Sequence, residues 1–243
     1  MNTTELFDSL FPEGHTIEVA GDLIHGAGSV GGETVCVIGT ANHAEIGVEL
    51  AFAMAVEVLC TVREHPGRAI LMLIDTQGQR LRHRDELLGI NAYMAHLAKC
   101  LEVARRTGHR IVSLVYGRAV SGGYLTTGMM ADACYALASA EISVMNLPAM
   151  ARVTKIAQER LEELAQSSPV FAPGAVNYLK MGGLESLWPG DLASALSDCL
   201  RDALRDTRSR GGAIDRRRER GNERGGRTMA LDVSRHVRSD ALD

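Results

Sequence analysis

Ala69-Ile70-Leu71-Met72-Leu73-Ile74 is apolar at every position, preceded by Pro66-Gly67 and followed by Asp75-Thr76-Gln77-Gly78. A run of that kind reads as a strand buried on both faces. Two further runs resemble it, Thr34-Val35-Cys36-Val37-Ile38 and Ile111-Val112-Ser113-Leu114-Val115. Between them the periodicity changes. From Ala44 to Glu64 apolar residues recur at helical spacing over about five turns and stop before His65-Pro66-Gly67. Asp85 to Thr107 repeats the pattern and stops at Gly108. Strands alternating with long helices predict right-handed crossovers, hence an α/β fold with a largely parallel sheet and flanking helices.

The rest of the chain reads less sharply. Thr4 to Phe11 suggests an opening helix, Ile17 to Ile24 an extended stretch, and Gly26 to Gly32 a glycine-rich hairpin or connecting loop. After the third strand, Tyr124 to Ala138 is helix-prone and apolar, and Asp132 to Asn146 alternates loosely. Val153–Gln166, Pro173–Leu179 and Gly190–Ser209 read as helices, and residues 211–228 have the composition of a mobile or partner-ordered segment. This divides the chain into one domain over residues 1–200 and an arginine-rich helix end and tail over 201–243.

Composition removes several function classes. Hydrophobic residues make up 46% of the chain but aromatics only 4%, so the core is built from Ala, Val, Leu, Ile and Met. No stretch has the apolar length of a membrane span. Met1 to Glu18 lacks a basic leader region, and the five separated cysteines (Cys36, Cys60, Cys100, Cys134, Cys199) form no CxxC; both point to the cytoplasm. After residue 200 there are twelve arginines among eight acids, interleaved, with no aromatic residue beyond Trp188 to stack on a base. Nucleic acid is therefore not an expected partner.

The segment that carries chemistry is Gly117-Arg118-Ala119-Val120-Ser121-Gly122-Gly123-Tyr124, where a strand hands over to a helix. Glycines there allow a tight turn and a close approach of ligand to backbone, and the first free N–H groups of a helix suit an oxyanion. Ser121 as a nucleophile needs a histidine base, and no spacing selects one of His43, His83, His96 or His109. No histidine–carboxylate spacing suggests a metal; His83 and Asp85 read as a solvated, charged loop. Asp75 ends a buried strand, where α/β enzymes place functional groups, although capping the next turn explains it equally well. The literal GxGxxG from Gly26 to Gly31 precedes a strand instead of following one, so it fails the context that dinucleotide binding requires.

The strand, Gly-x-Ala-x-Ser-Gly-Gly and apolar helix, preceded by Ile74-Asp75-Thr76-x-Gly78, resemble the crotonase superfamily. Val37-Ile38-Gly39-Thr40-Ala41-Asn42-His43-Ala44-Glu45-Ile46-Gly47, Ile74 to Gln79 and Ser143-Val144-Met145-Asn146-Leu147-Pro148 are similar to the gamma-subunit family of biotin-independent malonate decarboxylase, in its carboxyltransferase branch. The resemblance covers roughly residues 5–205. It implies a ββα-spiral fold and a heteromer with a beta subunit. It also implies decarboxylation of a malonyl thioester on an acyl carrier protein to acetyl thioester and carbon dioxide. No cofactor is then bound by this chain, since the substrate arrives on a prosthetic arm derived from dephospho-coenzyme A. Gly122 becomes the backbone oxyanion donor, Gly123 the adjacent one and Ser121 the residue shaping the turn. Thr76, Gln77, Gly78 and Asn146 fall at substrate-binding positions.

The same comparison disfavours a hydratase. Its catalytic glutamate, three residues after the donor glycine, is Leu125 here, and its second falls near Met145-Asn146. Two other readings stay open: the alpha half of a biotin-dependent acyl-CoA carboxyltransferase, and a non-catalytic scaffold that completes a partner's pocket.

Overall fold

In the computed structural model, which describes residues 2–145, 147–167, 173–207, 215–226 and 228–240, the three apolar runs lie side by side in one nine-stranded sheet. Strands β1 (Glu18–Ala20), β2 (Leu23–Val30) and β3 (Glu33–Thr40) form an antiparallel edge. Inward from β3 every pairing is parallel: β5 (Ile70–Gln79), β6 (Ile111–Val120), β7 (Ala133–Leu137) and β9 (Ser186–Trp188) follow in that order. Two short strands leave this row. β4 (Ala44–Ile46) pairs with the far end of β5, and β8 (Glu141–Ser143) with the far end of β6.

The central strand is buried on both faces, as its composition requires. Ile70, Met72 and Ile74 face a core with Met54 and Val58 of α2 (Val48–Glu64) and Leu97 and Leu101 of α4 (Ile90–Arg106). Leu71 and Leu73 face the opposite core, with Leu6 and Leu10 of α1 (Thr3–Leu10) and Leu196 of α9 (Leu192–Thr207). Each such side chain taken fully from water contributes about 1.5–3 kcal/mol. The strand that leads to the site is therefore clamped from both sides.

Several expected boundaries move, for identifiable reasons. The stretch from Ala44 is β4 before it becomes α2. That helix has Gly47 as its N-cap, with no capping side chain of its own. The cap comes from Asp85 of α3 (His83–Leu87), whose Oδ1 accepts the Val48 N–H at 3.0 Å, so Asp85 is buried and not solvated. Gly89, in the left-handed region, separates α3 from α4. The expected helix from Tyr124 to Ala138 stops early. α5 (Ser121–Thr126) gives way to a 3-10 turn at Gly128–Met130, and residues 133–137 form β7, where Cys134 and Ala136 alternate into the core. Burial overrides helix propensity there. Gly26 to Val30 lies inside β2, so the hairpin turn is Gly31-Gly32 alone. The helix expected over Val153–Gln166 is split into α6 (Leu147–Thr154) and α7 (Gln158–Ser167), with Lys155 at positive φ between them.

α8 (Ala175–Lys180) receives the arginine-rich end. Helix α10 (Arg217–Glu223) packs back on the body through Arg217, which donates to the Met129 carbonyl at 2.8 Å, and Arg220, which pairs with Glu185. Arg224 donates to the carbonyls of Leu179, Leu184 and Glu185 at 2.8–2.9 Å. Residues 215–226 are thus docked on the domain through these contacts, while 211–214 and 227 lie outside the described residues. A last helix, α11 (Thr228–Asp240), follows. Among the described residues no helix is long and apolar enough to cross a membrane.

Candidate active site

β6 ends at Val120 and α5 begins at Ser121, so the glycine turn sits at a strand-to-helix handover. Ser121 takes φ +49°, a conformation few side-chain-bearing residues adopt. Its hydroxyl donates to the Val144 carbonyl, tying the turn to the stretch after β8. That bond engages the Ser121 proton away from any histidine. Gly122 and Gly123 follow in the first turn, where N–H groups have no acceptor within their own helix.

The two glycines differ in what surrounds them. A Cβ on Gly123 would stand 2.7 Å from the Gly78 Cα and 2.9 Å from its carbonyl carbon, so position 123 admits no side chain. A Cβ on Gly122 would meet only the Gln79 side chain, at 3.1 Å from Oε1. Gly78 itself, at φ +103°, lies against Val120 and Ser121.

Thr76, Gln77 and Gly78 continue β5 and do not form a loop. The buried Thr76 hydroxyl donates to the Ala44 carbonyl at 2.7 Å and accepts the Gly78 N–H at 3.0 Å. The exposed Gln77 amide donates to the His43 carbonyl at 3.1 Å. One wall therefore brings together Thr76, Gln77, Gly78, Ser121, Gly122 and Gly123. Asn146 lies outside the described residues.

Beside this wall is a pair that the sequence did not join. The Asp75 carboxylate is buried, with a side chain 6% exposed, and accepts three donors. His43 Nδ1 lies 2.6 Å and the Arg118 N–H 2.8 Å from Oδ1; the His43 N–H lies 2.9 Å from Oδ2. Gly117 is the clearance for this carboxylate, since a Cβ there would fall 2.3 Å from Oδ1. Tyr116 donates to the Thr40 carbonyl at 2.9 Å, and burial, with the Asp75 charge second, holds its phenol well above the usual range. His43 and Asn42 both take positive φ, and the His43 side chain stays 50% exposed. The pair stands 32 residues apart, brought together because β3 and β4 both run beside β5. The available signal was Asp75 at the carboxyl end of a buried strand.

The geometry agrees with a family match. Residues 41–241, which contain the turn, the wall and the His43–Asp75 pair, match the malonate decarboxylase gamma subunit (MdcE). The chain belongs to this family. It is 38% identical over 151 residues to the malonyl-S-ACP:biotin-protein carboxyltransferase MADD of Malonomonas rubra. That match takes in 58% of this chain and spans about half, 52%, of the relative. Among solved structures it is similar to the Pseudomonas malonate decarboxylase MdcD-MdcE hetero-dimer, at 25% identity, TM-score 0.70 and 97% of each chain. It is also similar to a Pseudomonas malonate decarboxylase hetero-tetramer in complex with coenzyme A, at 23% identity, TM-score 0.75 and 97% of each chain. The fold is also similar to that of transcarboxylase 12S, at 18% identity and TM-score 0.70, over 86% of this chain and 42% of that one.

A second charged cluster of this malonate decarboxylase gamma-family chain lies under α10, lined by Arg105, Asp132, Glu185, Arg217 and Arg220. Burial raises the carboxyls of Asp132 and Glu185, partly offset at Asp132 by the Ile111 N–H and at Glu185 by Arg220. Both signs are present and face one another, so the cluster fastens the chain end. Among the described residues no group of three or more His, Cys, Asp or Glu could hold a metal ion.

Proposed function

We propose that this chain works with a malonate decarboxylase beta subunit in the cytoplasm to decarboxylate a malonyl thioester carried on an acyl carrier protein, yielding acetyl thioester and carbon dioxide. Loss of carboxylate leaves a carbanion delocalised onto the thioester oxygen. Backbone N–H donors aimed at that oxygen lower the barrier by about 3–4 kcal/mol each. The Gly122 amide is the proposed donor and the Gly123 amide its neighbour, with Ser121 shaping the turn through Val144. Thr76, Gln77 and Gly78 form the facing wall for the acyl group, and Asn146 is the further proposed substrate contact. The substrate would arrive on an arm derived from dephospho-coenzyme A, a view supported by the coenzyme A-bound Pseudomonas complex. The observation that carries the reading is the glycine turn pressed against Gly78, inside a family match that spans it. The MdcD-MdcE hetero-dimer supports the heteromeric part.

The Malonomonas rubra relative favours a second reading, the alpha half of a biotin-dependent carboxyltransferase. One assay separates the two. The chain purified with its beta subunit should release carbon dioxide from malonyl thioester at a rate that avidin leaves unchanged. Release that requires biotin and is blocked by avidin would establish the second reading instead.

A further inference from the structure

Stabilising an enolate is half of the reaction; its carbon must then receive a proton. Most protic side chains around the glycine turn are engaged, and the unpartnered Tyr124 hydroxyl belongs to a ring buried in the core against Tyr178. Ser121 donates to Val144, Thr76 to Ala44 and Tyr116 to Thr40. The Arg118 guanidinium pairs with Glu141 at 3.0 Å and is too weak an acid to give up its proton. His43 differs. Its Nδ1 is fixed on Asp75, its ring is half exposed, and Nε2 makes no hydrogen bond among the described residues.

The His43 backbone is held as tightly as its ring. Its N–H is bound by Asp75, its carbonyl by Gln77, and both it and Asn42 are kept in the left-handed region. Non-glycine residues persist in that region where the surroundings over-determine them, which is common at active sites. The pair is also connected to the oxyanion turn from two sides. Asp75 Oδ1 holds the Arg118 N–H, three residues before Ser121 on β6, and the Gln77 that holds His43 adjoins Gly78.

We infer that His43 is the acid that protonates the enolate carbon and that Asp75 is its positioning residue; this rests on the malonyl-thioester reading above. The bond between C2 and the carboxyl carbon breaks, carbon dioxide leaves, and the electron pair moves onto the thioester oxygen. The enolate then takes the Nε2 proton, forming the C2–H bond and leaving a neutral imidazole. Solvent restores that proton through the exposed ring edge. Asp75 keeps its charge throughout and fixes the orientation of the ring.

The test uses the beta–gamma complex in D2O with malonyl-CoA and, separately, acetyl-CoA. Carbon dioxide release and deuterium entering the acetyl methyl group are both followed. H43N and H43G suit a positive φ, and so remove the imidazole without straining the loop. Both should lose methyl exchange by about 10²–10⁴-fold, the usual range for a positioned general acid. Added imidazole should restore exchange in H43G, which a purely structural loss would not permit. D75N should lower exchange by a smaller factor. Wild-type exchange in both His43 variants, beside normal carbon dioxide release, overturns this inference alone, as does a loss in H43G that imidazole does not rescue. A wild-type complex inactive toward malonyl thioester on the acyl carrier protein as well as toward malonyl-CoA removes the underlying reading, and this inference with it.

Discussion

The Gly123 backbone presses so closely on Gly78 that a methyl group at position 123 would stand 2.7 Å from the Gly78 Cα. Neither partner is a side-chain end that could swing aside. G123A should therefore lever the turn away from β5 and destabilise the protein by about 1–3 kcal/mol, as overpacking does. G122A meets only the Gln79 side chain on a backbone that alanine accepts, and should change stability by less than about 0.5 kcal/mol. Denaturant unfolding of the two variants checks the contrast.

Arg224 carries the docking of the arginine-rich end through three main-chain carbonyls. R224A leaves those acceptors unpaired and should destabilise by about 1.5–3 kcal/mol, the range for hydrogen bonds to a charged group. It should also make residues 215–226 cleavable by trypsin at concentrations that leave the wild-type segment intact. Equal cleavage rates would show that the segment is held by something else.

Asp132 supplies a pH dependence with a definite sign. Burial raises its carboxyl above the ordinary value, so ionising it opposes folding. Its contribution to stability is fully present below the unfolded-state value and is lost as pH rises through the folded-state value. D132N keeps an acceptor for the Ile111 N–H while removing the buried charge. It should gain stability relative to wild type at neutral pH, and the gain should vanish on acidification. Thermal melts of both proteins from pH 7 down to pH 3.5 would show it; a difference that grows on acidification would contradict it.

The layered fold was legible because its strongest signal is local. Ala69 to Ile74 is apolar throughout, and its short length between Pro66-Gly67 and Gly78 marks it as a doubly covered strand. The glycine turn was legible for the same reason, since strand, glycines and helix are contiguous. What escaped depends on contacts distant in sequence. Asp85 reads as a solvated charge until α3 folds over the start of α2 and uses it as a cap. Residues 133–137 read as helix until β6 provides an edge for them to pair with. His43 and Asp75 are both visible as single residues, but only the parallel register of β3, β4 and β5 turns them into a hydrogen-bonded pair. The arginine-rich end shows the same limit. Its composition describes a solvated tail, and the carbonyls that bind Arg217 and Arg224 are 39–88 residues away.

The main-chain N–H groups of Gly122 and Gly123 are the proposed donors to the thioester enolate. Comparing G122P with G122A in the assembled beta–gamma complex tests this role most directly, because both add a Cβ at the same place and proline alone deletes the amide donor. Carbon dioxide release from malonyl-CoA is measured per folded complex, with folding and assembly confirmed for each variant. G122A should stay within a few-fold of wild type while G122P falls by about 10²–10³-fold, the cost of removing one oxyanion donor. Native-rate release from a folded G122P complex would contradict that role.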